Sequence, residues 1–231
     1  MFSHAFAAGA LLGTAISPLV CVSAAERSPV AAAEDVVARV TPSAKGAVLF
    51  HLNPDQGNKI TISGIAGGIR VEASDVRRLV AGYGWYLKNI AKVHFSWNGN
   101  RITLPSPLPV PASSVTVESP WNIVFAYNYC TLSYTAAFWD WNRWQREIDF
   151  LALNGFTHAL VTAGLEKTWE DFLAGLGYPR EKALRFIPNP AFAAWWNMGN
   201  LEGHGGPLSQ QQINKMAQMG RRIVSRMEQL G

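Results

Sequence analysis

The chain has 231 residues, a formal net charge of +4 and a hydrophobic content of 48%. This length and composition allow a substantial buried core, in one large domain or two small ones. The 20 Lys and Arg residues divide evenly on either side of Trp121 and form no basic run, which argues against a nucleic-acid-binding protein.

The first 25 residues are typical of a secretory signal peptide, because they carry no charged side chain and end in small residues that fit a cleavage site. Gly9, Gly13 and Pro18 interrupt the apolar stretch, so we expect no stable membrane span. The sequence therefore predicts export, to the periplasm or extracellular space of a bacterium or to the lysosome of an animal. Cleavage would leave Cys130 as the only cysteine, without an internal disulfide.

Residues 26–111 predict a small α+β domain. After a polar, Ala-rich lead-in, three β-strand signals at 48–52, 59–62 and 69–72 are separated by turn-forming residues, including those at 64–68. Ser74 is the predicted N-cap of a helix whose apolar residues have helical spacing. Asn98-Gly99 then predicts a hairpin turn between two further strands. Alternating prolines before residue 111 indicate a stiff connector and a domain boundary.

Residues 112–231 have a different pattern, in which strands alternate with helices. The apolar segments 122–129 and 156–162 predict buried strands, and each precedes a helix; the first helix carries Trp141, Trp144 and Ile148 on one face. This order predicts parallel βα units of a (β/α)8 TIM-type barrel. About 110 residues supply only two units and part of a third, so we expect an incomplete barrel and the N-terminal part of a longer protein.

The C-terminal helix is predicted from both its start and its apolar face. Ser209 and Gln212 have the spacing of a capping box. Apolar residues follow at helical spacing and indicate one buried face. They are Ile213, Met216, Ala217, Ile223, Val224 and Met227.

Ligand-binding groups in parallel βα folds lie at the carboxyl ends of the strands. That rule selects Asn128, Cys130 and Tyr134 after the first strand. It also selects Thr162 and Glu166 after the second strand, and Trp195 lies in a later segment that could fold over the same end.

Several polar residues have a structural interpretation beside the functional one. Glu147 and Asp149 lie within a helix, where Arg143 forms an i,i+4 pair with Glu147, so we interpret both as structural. Glu166 begins a helix, and we favour a structural role there as well.

Asp140 is equally consistent with a helix-start acceptor and a site residue. His158 is interpreted as a core histidine within a strand. No His, Cys, Asp or Glu cluster has metal-ligand spacing, so the sequence predicts neither a metal nor a cofactor.

Eighteen of the 26 aromatic residues lie between Trp121 and Trp196. Aromatic rings mixed with Asn and single carboxylates suit the faces and hydroxyl groups of a sugar. A large α/β core would require the same density. Composition alone leaves these two interpretations open.

Specific motifs favour the sugar-binding interpretation of the aromatic residues over the core interpretation. The runs Asn128-Tyr-Cys130-Thr-Leu-Ser-Tyr134, Phe138-Trp-Asp-Trp141 and Met198-Gly-Asn-Leu201 occur in an order that resembles the α-N-acetylglucosaminidase family of glycoside hydrolases (family 89). The resemblance covers nearly all of residues 122–231, and the earlier domain is similar to the small N-terminal domain of that family.

The resemblance implies sugar contacts at Asn128, Cys130, Tyr134 and Trp195, with Cys130 a ligand contact rather than a nucleophile. It also implies a retaining exo-glycosidase that removes terminal α-linked N-acetylglucosamine (GlcNAc) without a cofactor. In the family the nucleophile and the acid/base are glutamates on later barrel strands, so we expect no catalytic residue in this chain. Homo-oligomerisation of the intact protein stays open.

We therefore expect the intact protein to be the enzyme and the 231-residue chain to be inactive and poorly folded, because an open barrel exposes apolar strands. One alternative is a non-catalytic carbohydrate-binding protein that keeps the pocket wall. Another is a split enzyme in which a second polypeptide completes the barrel.

Overall fold

The computed structural model describes residues 28–202 and 206–231, so the predicted signal peptide at 1–25 lies outside the described residues. The first part of the chain forms a small α/β unit. Its elements, in chain order, are α1 (Ala31–Val40), β1 (Val48–Leu52), β2 (Lys59–Ile65), β3 (Gly68–Ala73), α2 (Val76–Asn89), β4 (His94–Phe95), β5 (Asn100–Arg101) and β6 (Val115–Glu118). Single-turn 3-10 helices at Pro42–Ala44 and Pro54–Gln56 join some of them.

The main sheet of this unit has four strands in the order β1-β3-β2-β6. β1 pairs with β3 in parallel, whereas β2 pairs antiparallel with both β3 and β6. β6 was not predicted, and it joins this sheet from beyond the predicted domain boundary at residue 111. The boundary itself stays a prediction. α1 and α2 cover the sheet and bury Val36, Leu79 and Tyr83 against it.

The predicted strands, the helix α2 and the Asn98-Gly99 hairpin are present in the structure. Three details of the prediction were wrong. The Ala-rich lead-in forms α1, whose residues Ala33, Val36, Val37 and Val40 are buried at helical spacing. The N-cap of α2 is Asp75, which accepts a hydrogen bond from the Arg78 amide, whereas Ser74 donates its hydroxyl to the Gly57 carbonyl. The glycine-containing stretch 64–68 is mostly strand, with only its middle in the turn.

The second part of the chain has the predicted βα order. Its elements are β7 (Phe125–Ala126), α3 (Tyr129–Tyr134), α4 (Trp141–Leu153), β8 (His158–Ala159), α5 (Leu165–Gly175), α6 (Arg180–Phe186), α7 (Ala193–Asn197) and α8 (Gln210–Leu230). A 3-10 turn at Pro190–Phe192 leads into α7. β7 and β8 pair in parallel, as βα units require. Among the described residues the barrel is not closed, which confirms the predicted α/β class with an incomplete barrel.

Both barrel strands are shorter and less buried than predicted. Each pairs over only two residues, the Phe125 side chain is 57% exposed, and His158 is exposed rather than a core histidine. The imidazole Nδ1 of His158 lies 2.7 Å from the Thr157 hydroxyl. A two-stranded pair buries a face only where helices cover it, and here Ala126 lies on the covered side.

The two parts of the chain share one hydrophobic core, in which Tyr83 and Leu87 of α2 cluster with Trp144 and Ile148 of α4. α2 approaches α4 so closely that a Cβ built on Gly84 would lie 1.8 Å from the Leu153 carbonyl oxygen.

An ion pair joins the same parts of the chain. Arg39 of α1 donates two hydrogen bonds of 2.7 Å to the buried carboxylate of Asp149 in α4. The predicted structural roles of Asp149, Trp144 and Ile148 are therefore confirmed. Trp141 is partly buried against the same core and receives the Arg222 guanidinium over its ring.

α8 packs against α4 and α5, and it also contacts α1 and α2. Its N-terminus has the predicted capping box between Ser209 and Gln212. Ile213, Ala217 and Ile223 are buried as predicted, but Val224 is exposed because it lies next to the buried face and not on it. None of the helices in the described part of the chain is long and apolar enough to cross a membrane.

Candidate functional site

The residues that follow β7 form one wall at the carboxyl end of the two barrel strands. Asn128 is the N-cap of α3, and its side-chain oxygen accepts hydrogen bonds from the amide and hydroxyl of Thr131. Its amide nitrogen makes no such contact within this cap. The half-buried thiol of Cys130 follows in the first turn of α3, so both residues lie at the same end of one short helix.

An aromatic pair continues this wall. The rings of Tyr134 and Trp195 meet edge to face, with their centroids 4.6 Å apart and their planes at 78°. Tyr134 is 72% exposed, so one side of the pair faces solvent. We call Asn128, Cys130, Tyr134 and Trp195 the aromatic wall. The structure brings Tyr134 and Trp195 together, although they lie 61 positions apart in the chain.

A buried hydrogen bond connects the two helices that carry the pair. The Ala194 amide of α7 donates to the Ser133 hydroxyl of α3 over 3.0 Å. Ser133 and Ala194 each precede a member of the pair in sequence, and both are buried. Because the bond fixes α7 against α3, it also limits the positions that the two rings can take. Sequence inspection had not selected Ser133, since its partner is remote in the chain.

Behind the wall, the buried carboxylate of Glu147 accepts hydrogen bonds from three side chains. Glu147 accepts hydrogen bonds from Trp97 Nε1 at 2.6 and 2.7 Å, from Arg143 Nη1 at 2.6 Å and from the Tyr127 hydroxyl. Its predicted pairing with Arg143 is confirmed. Burial, followed by the hydrogen bond to Glu147, raises the pKa of the Tyr127 hydroxyl well above its ordinary range.

Tyr127 itself has an unusual backbone conformation. Its φ is +74°, in the left-handed region that non-glycine residues rarely adopt. Tyr127 connects β7 to Asn128, so this conformation sets the direction in which the chain enters α3. The hydrogen bond between its side chain and Glu147 holds the residue in place, as expected where local strain is supported by its surroundings. No sequence signal pointed to Tyr127.

Two other candidates lie below the wall instead of in it. Thr162 and Glu166 line a cavity of about 190 Å³, together with residues of α3, α4, α8 and the segment before α7. None of the four aromatic-wall residues lines this cavity. Glu166 is 5% exposed at the start of α5, and burial raises its pKa to about 7.

The structure decides between the two interpretations of Asp140. Its carboxylate accepts a 2.9 Å hydrogen bond from the Arg143 amide and caps α4. Asp140 is therefore a helix-start acceptor. Within residues 28–202 and 206–231, no group of three or more His, Cys, Asp or Glu side chains could hold a metal ion.

Comparison with known families matches almost the whole described chain. The α-N-acetylglucosaminidase (NAGLU) N-terminal domain matches residues 31–110, and the α-N-acetylglucosaminidase TIM-barrel domain matches residues 124–231. Human α-N-acetylglucosaminidase is 36% identical over 168 residues, which are 73% of this chain and 23% of the human protein.

Two solved structures have the same fold. A family 89 glycoside hydrolase from Clostridium perfringens in complex with 2-acetamido-1,2-dideoxynojirmycin superposes with a TM-score of 0.83 at 29% identity, over 88% of this chain and 24% of that one. A double glutamate-to-glutamine variant from the same organism, in complex with its substrate GlcNAc-α-1,4-galactose, gives 0.83 at 28% identity, over 87% and 23%.

The chain thus spans about a quarter of the length of the relatives that it matches. Its small α/β unit and its open set of βα units correspond to two consecutive domains of those proteins. The chain belongs to the α-N-acetylglucosaminidase family of glycoside hydrolases, and it contains the N-terminal domain of that family followed by part of its TIM-barrel domain.

Proposed function

We propose that the intact protein is an exported, retaining exo-α-N-acetylglucosaminidase, and that this chain supplies one wall of its sugar pocket. Hydrolysis of a terminal α-linked GlcNAc with retention requires two carboxyl groups about 5–5.5 Å apart. By analogy with the family, we expect both on later barrel strands, outside this chain. Catalysis thus belongs to the longer protein, and sugar contact belongs to this part.

The aromatic wall is the observation that carries the proposal. Tyr134 and Trp195 form an amphipathic ring pair with an open side, on the same wall as Cys130 and as Asn128, whose amide nitrogen is not used in the α3 cap. A pyranose ring has apolar faces for the aromatic rings and hydroxyl groups for the amide. The bound GlcNAc-α-1,4-galactose of the Clostridium perfringens relative supports GlcNAc as the terminal sugar.

Trp195→Ala tests the proposed wall. We expect it to weaken GlcNAc binding about tenfold, because loss of one stacked ring removes roughly 1–2 kcal/mol of contact. The measurement is titration of the intact protein with GlcNAc, followed by NMR saturation transfer from the aromatic protons, with the 231-residue chain titrated in parallel. Trp121→Ala is the matched control, since Trp121 is 70% exposed and lies outside the wall. Equal affinity of the Trp195→Ala variant and the unmodified chain would refute the proposed contact.

The same titration, combined with an activity assay, distinguishes the enzyme from the alternative. If the gene continues past Gly231 and its full-length product hydrolyses an aryl α-N-acetylglucosaminide, the enzyme is supported. GlcNAc binding by a complete gene product that does not hydrolyse this compound would instead support a carbohydrate-binding protein that retains the wall. No binding by either form would contradict both.

A further inference from the structure

Glu166 is a buried carboxyl that the proposed sugar contacts do not use. It is the second residue of α5, two positions after the left-handed Gly164. The backbone amides of Gly164 and Glu166 act to lower its pKa, but burial outweighs them, and its Oε2 atom is buried without a partner among the described residues. A buried polar atom of this kind is normally paired with protein or with ordered water.

The cavity beside Glu166 lies under both helices of the wall. Ser133 on α3 and Ala193 on α7 line it from above, and α8 lines it with Lys215, Met216 and Met219. Its volume of about 190 Å³ has room for several water molecules. The Ser133–Ala194 hydrogen bond crosses this roof, one residue from Tyr134 and one from Trp195.

We propose that Glu166 is a positioning residue for the aromatic wall. While its carboxyl is neutral, α7 stays packed on α3 above the mostly apolar cavity, which we call the closed state. When the carboxyl ionises, it draws water into the cavity and loosens α7 from α3, which displaces Trp195 relative to Tyr134. The physical reason is that an ionised carboxylate without a partner is strongly disfavoured in an apolar site and is relieved by hydration.

Few charged groups lie near Glu166, so its carboxyl is more readily neutralised by a proton than paired with a cation. Among the residues that line the cavity, Lys215 on α8 is the only other ionisable side chain, and it is exposed. The lining residues from α3, α4, α7 and the loop after β8 are not ionisable. On α5 itself, Lys167 contacts Glu170 and Asp171. Burial accordingly raises the pKa of Glu166 from 4.5 to about 7.

The direction of the pH effect follows from this difference in pKa. Once α7 has opened, Glu166 is hydrated and its pKa returns toward 4.5, so between about pH 4.5 and 7 the opened state holds fewer protons than the closed state. Raising the pH through this window therefore favours opening, and above it the balance is constant. The closed wall is most stable on the acidic side.

Hydrogen exchange of α7 in the intact protein tests the proposal. After correction for the intrinsic exchange rate, we expect protection of residues 193–198 to fall about tenfold or more between pH 5 and pH 7. Glu166→Gln keeps the shape without the titration and should abolish this pH dependence. Glu170→Gln is the control, because Glu170 lies one turn later on α5 but is paired with Arg180; it should leave the pH dependence unchanged.

Two results would overturn the proposal. One is a pH-independent exchange rate in the unmodified chain, and the other is an unchanged pH dependence in Glu166→Gln. A carboxyl ¹³C titration of Glu166 in the unmodified chain needs no variant, and a midpoint near pH 4.5 would also contradict it.

GlcNAc titrations at pH 5 and 7 are a separate experiment. Of the measurements described for Glu166, these titrations alone rest on the proposed function. A pH effect on exchange without GlcNAc binding would leave the positioning role intact and reject the sugar site. GlcNAc affinity that does not fall with the loss of α7 protection would reject the effect on Trp195.

Discussion

Glu147→Ala should destabilise the chain by about 3–5 kcal/mol, because it removes the acceptor at the centre of a buried polar cluster. Glu147 is 1% exposed and satisfies the indole of Trp97, the hydroxyl of Tyr127 and the guanidinium of Arg143. The first two donors would be left without their partner next to the core. Urea denaturation followed by circular dichroism measures the loss as a lower midpoint at an unchanged slope.

A second effect of Glu147→Ala should appear at the wall. The hydroxyl of Tyr127 would lose its acceptor, so the hydrogen bond that holds this residue at its left-handed φ would be gone. The direction in which the chain enters α3 should then become variable. Asn128 would then lose its defined position, and GlcNAc affinity should fall together with stability.

Glu181→Ala is the matched control for Glu147→Ala. Glu181 also pairs with an arginine four residues away, Arg185, but its side chain is 78% exposed. An exposed pair of this kind contributes about 0.3–0.5 kcal/mol. If both variants lost equal stability, the cluster around Glu147 would not have the role assigned to it.

Gly84→Ala should cost about 3 kcal/mol or more, because α2 and α4 would have to separate. The added Cβ would lie 1.8 Å from the carbonyl oxygen of Leu153 and 2.6 Å from its carbonyl carbon, and backbone atoms cannot rotate away as a side chain can. Alanine favours a helix over glycine by at most about 1 kcal/mol, which does not offset the clash. Thermal unfolding should show a clearly lowered midpoint.

Gly175→Ala is the matched control for Gly84→Ala, because it changes helix propensity in the same way without creating a steric clash. Gly175 is the last residue of α5, has no positive φ, and a Cβ there would meet no atom within 4 Å. This variant should be neutral or slightly more stable than the unmodified chain. A midpoint for Gly84→Ala as high as that for Gly175→Ala would show that the helices can separate at little cost.

Local patterns in the sequence were enough to predict most of the elements. The helical spacing of apolar residues predicted α2, α4 and α8, a further helix was predicted after the second strand, where α5 forms, and the capping box located the start of α8. The burial of Trp144 and Ile148 was predicted from the same spacing. α1 could also have been predicted, because Ala33, Val36, Val37 and Val40 have the spacing of one helical face.

The missing parts depend on contacts between remote residues. β6 is a short strand with little local signal, and it forms because β2 offers an unpaired edge. The Ser133–Ala194 and Trp97–Glu147 hydrogen bonds join residues that the fold alone brings together. The rule on strand ends selected the wall residues together with Thr162 and Glu166, and the family resemblance then assigned only the wall residues to the sugar; periodicity could not have separated them from core aromatics. His158 was assigned to the core because its apolar neighbours suggested a deeper strand than the one that forms.

Two acids on α4, Glu147 and Asp149, connect that helix to different places in the first part of the chain. One accepts from Trp97 next to the β4–β5 hairpin, and the other binds Arg39 of α1. Residues two apart on a helix point in different directions, so the attachments resist rotation as well as translation of α4. The prolines near residue 111 are therefore not a hinge. In the intact protein the two family domains should behave mechanically as one body, and heat should melt them in a single cooperative transition.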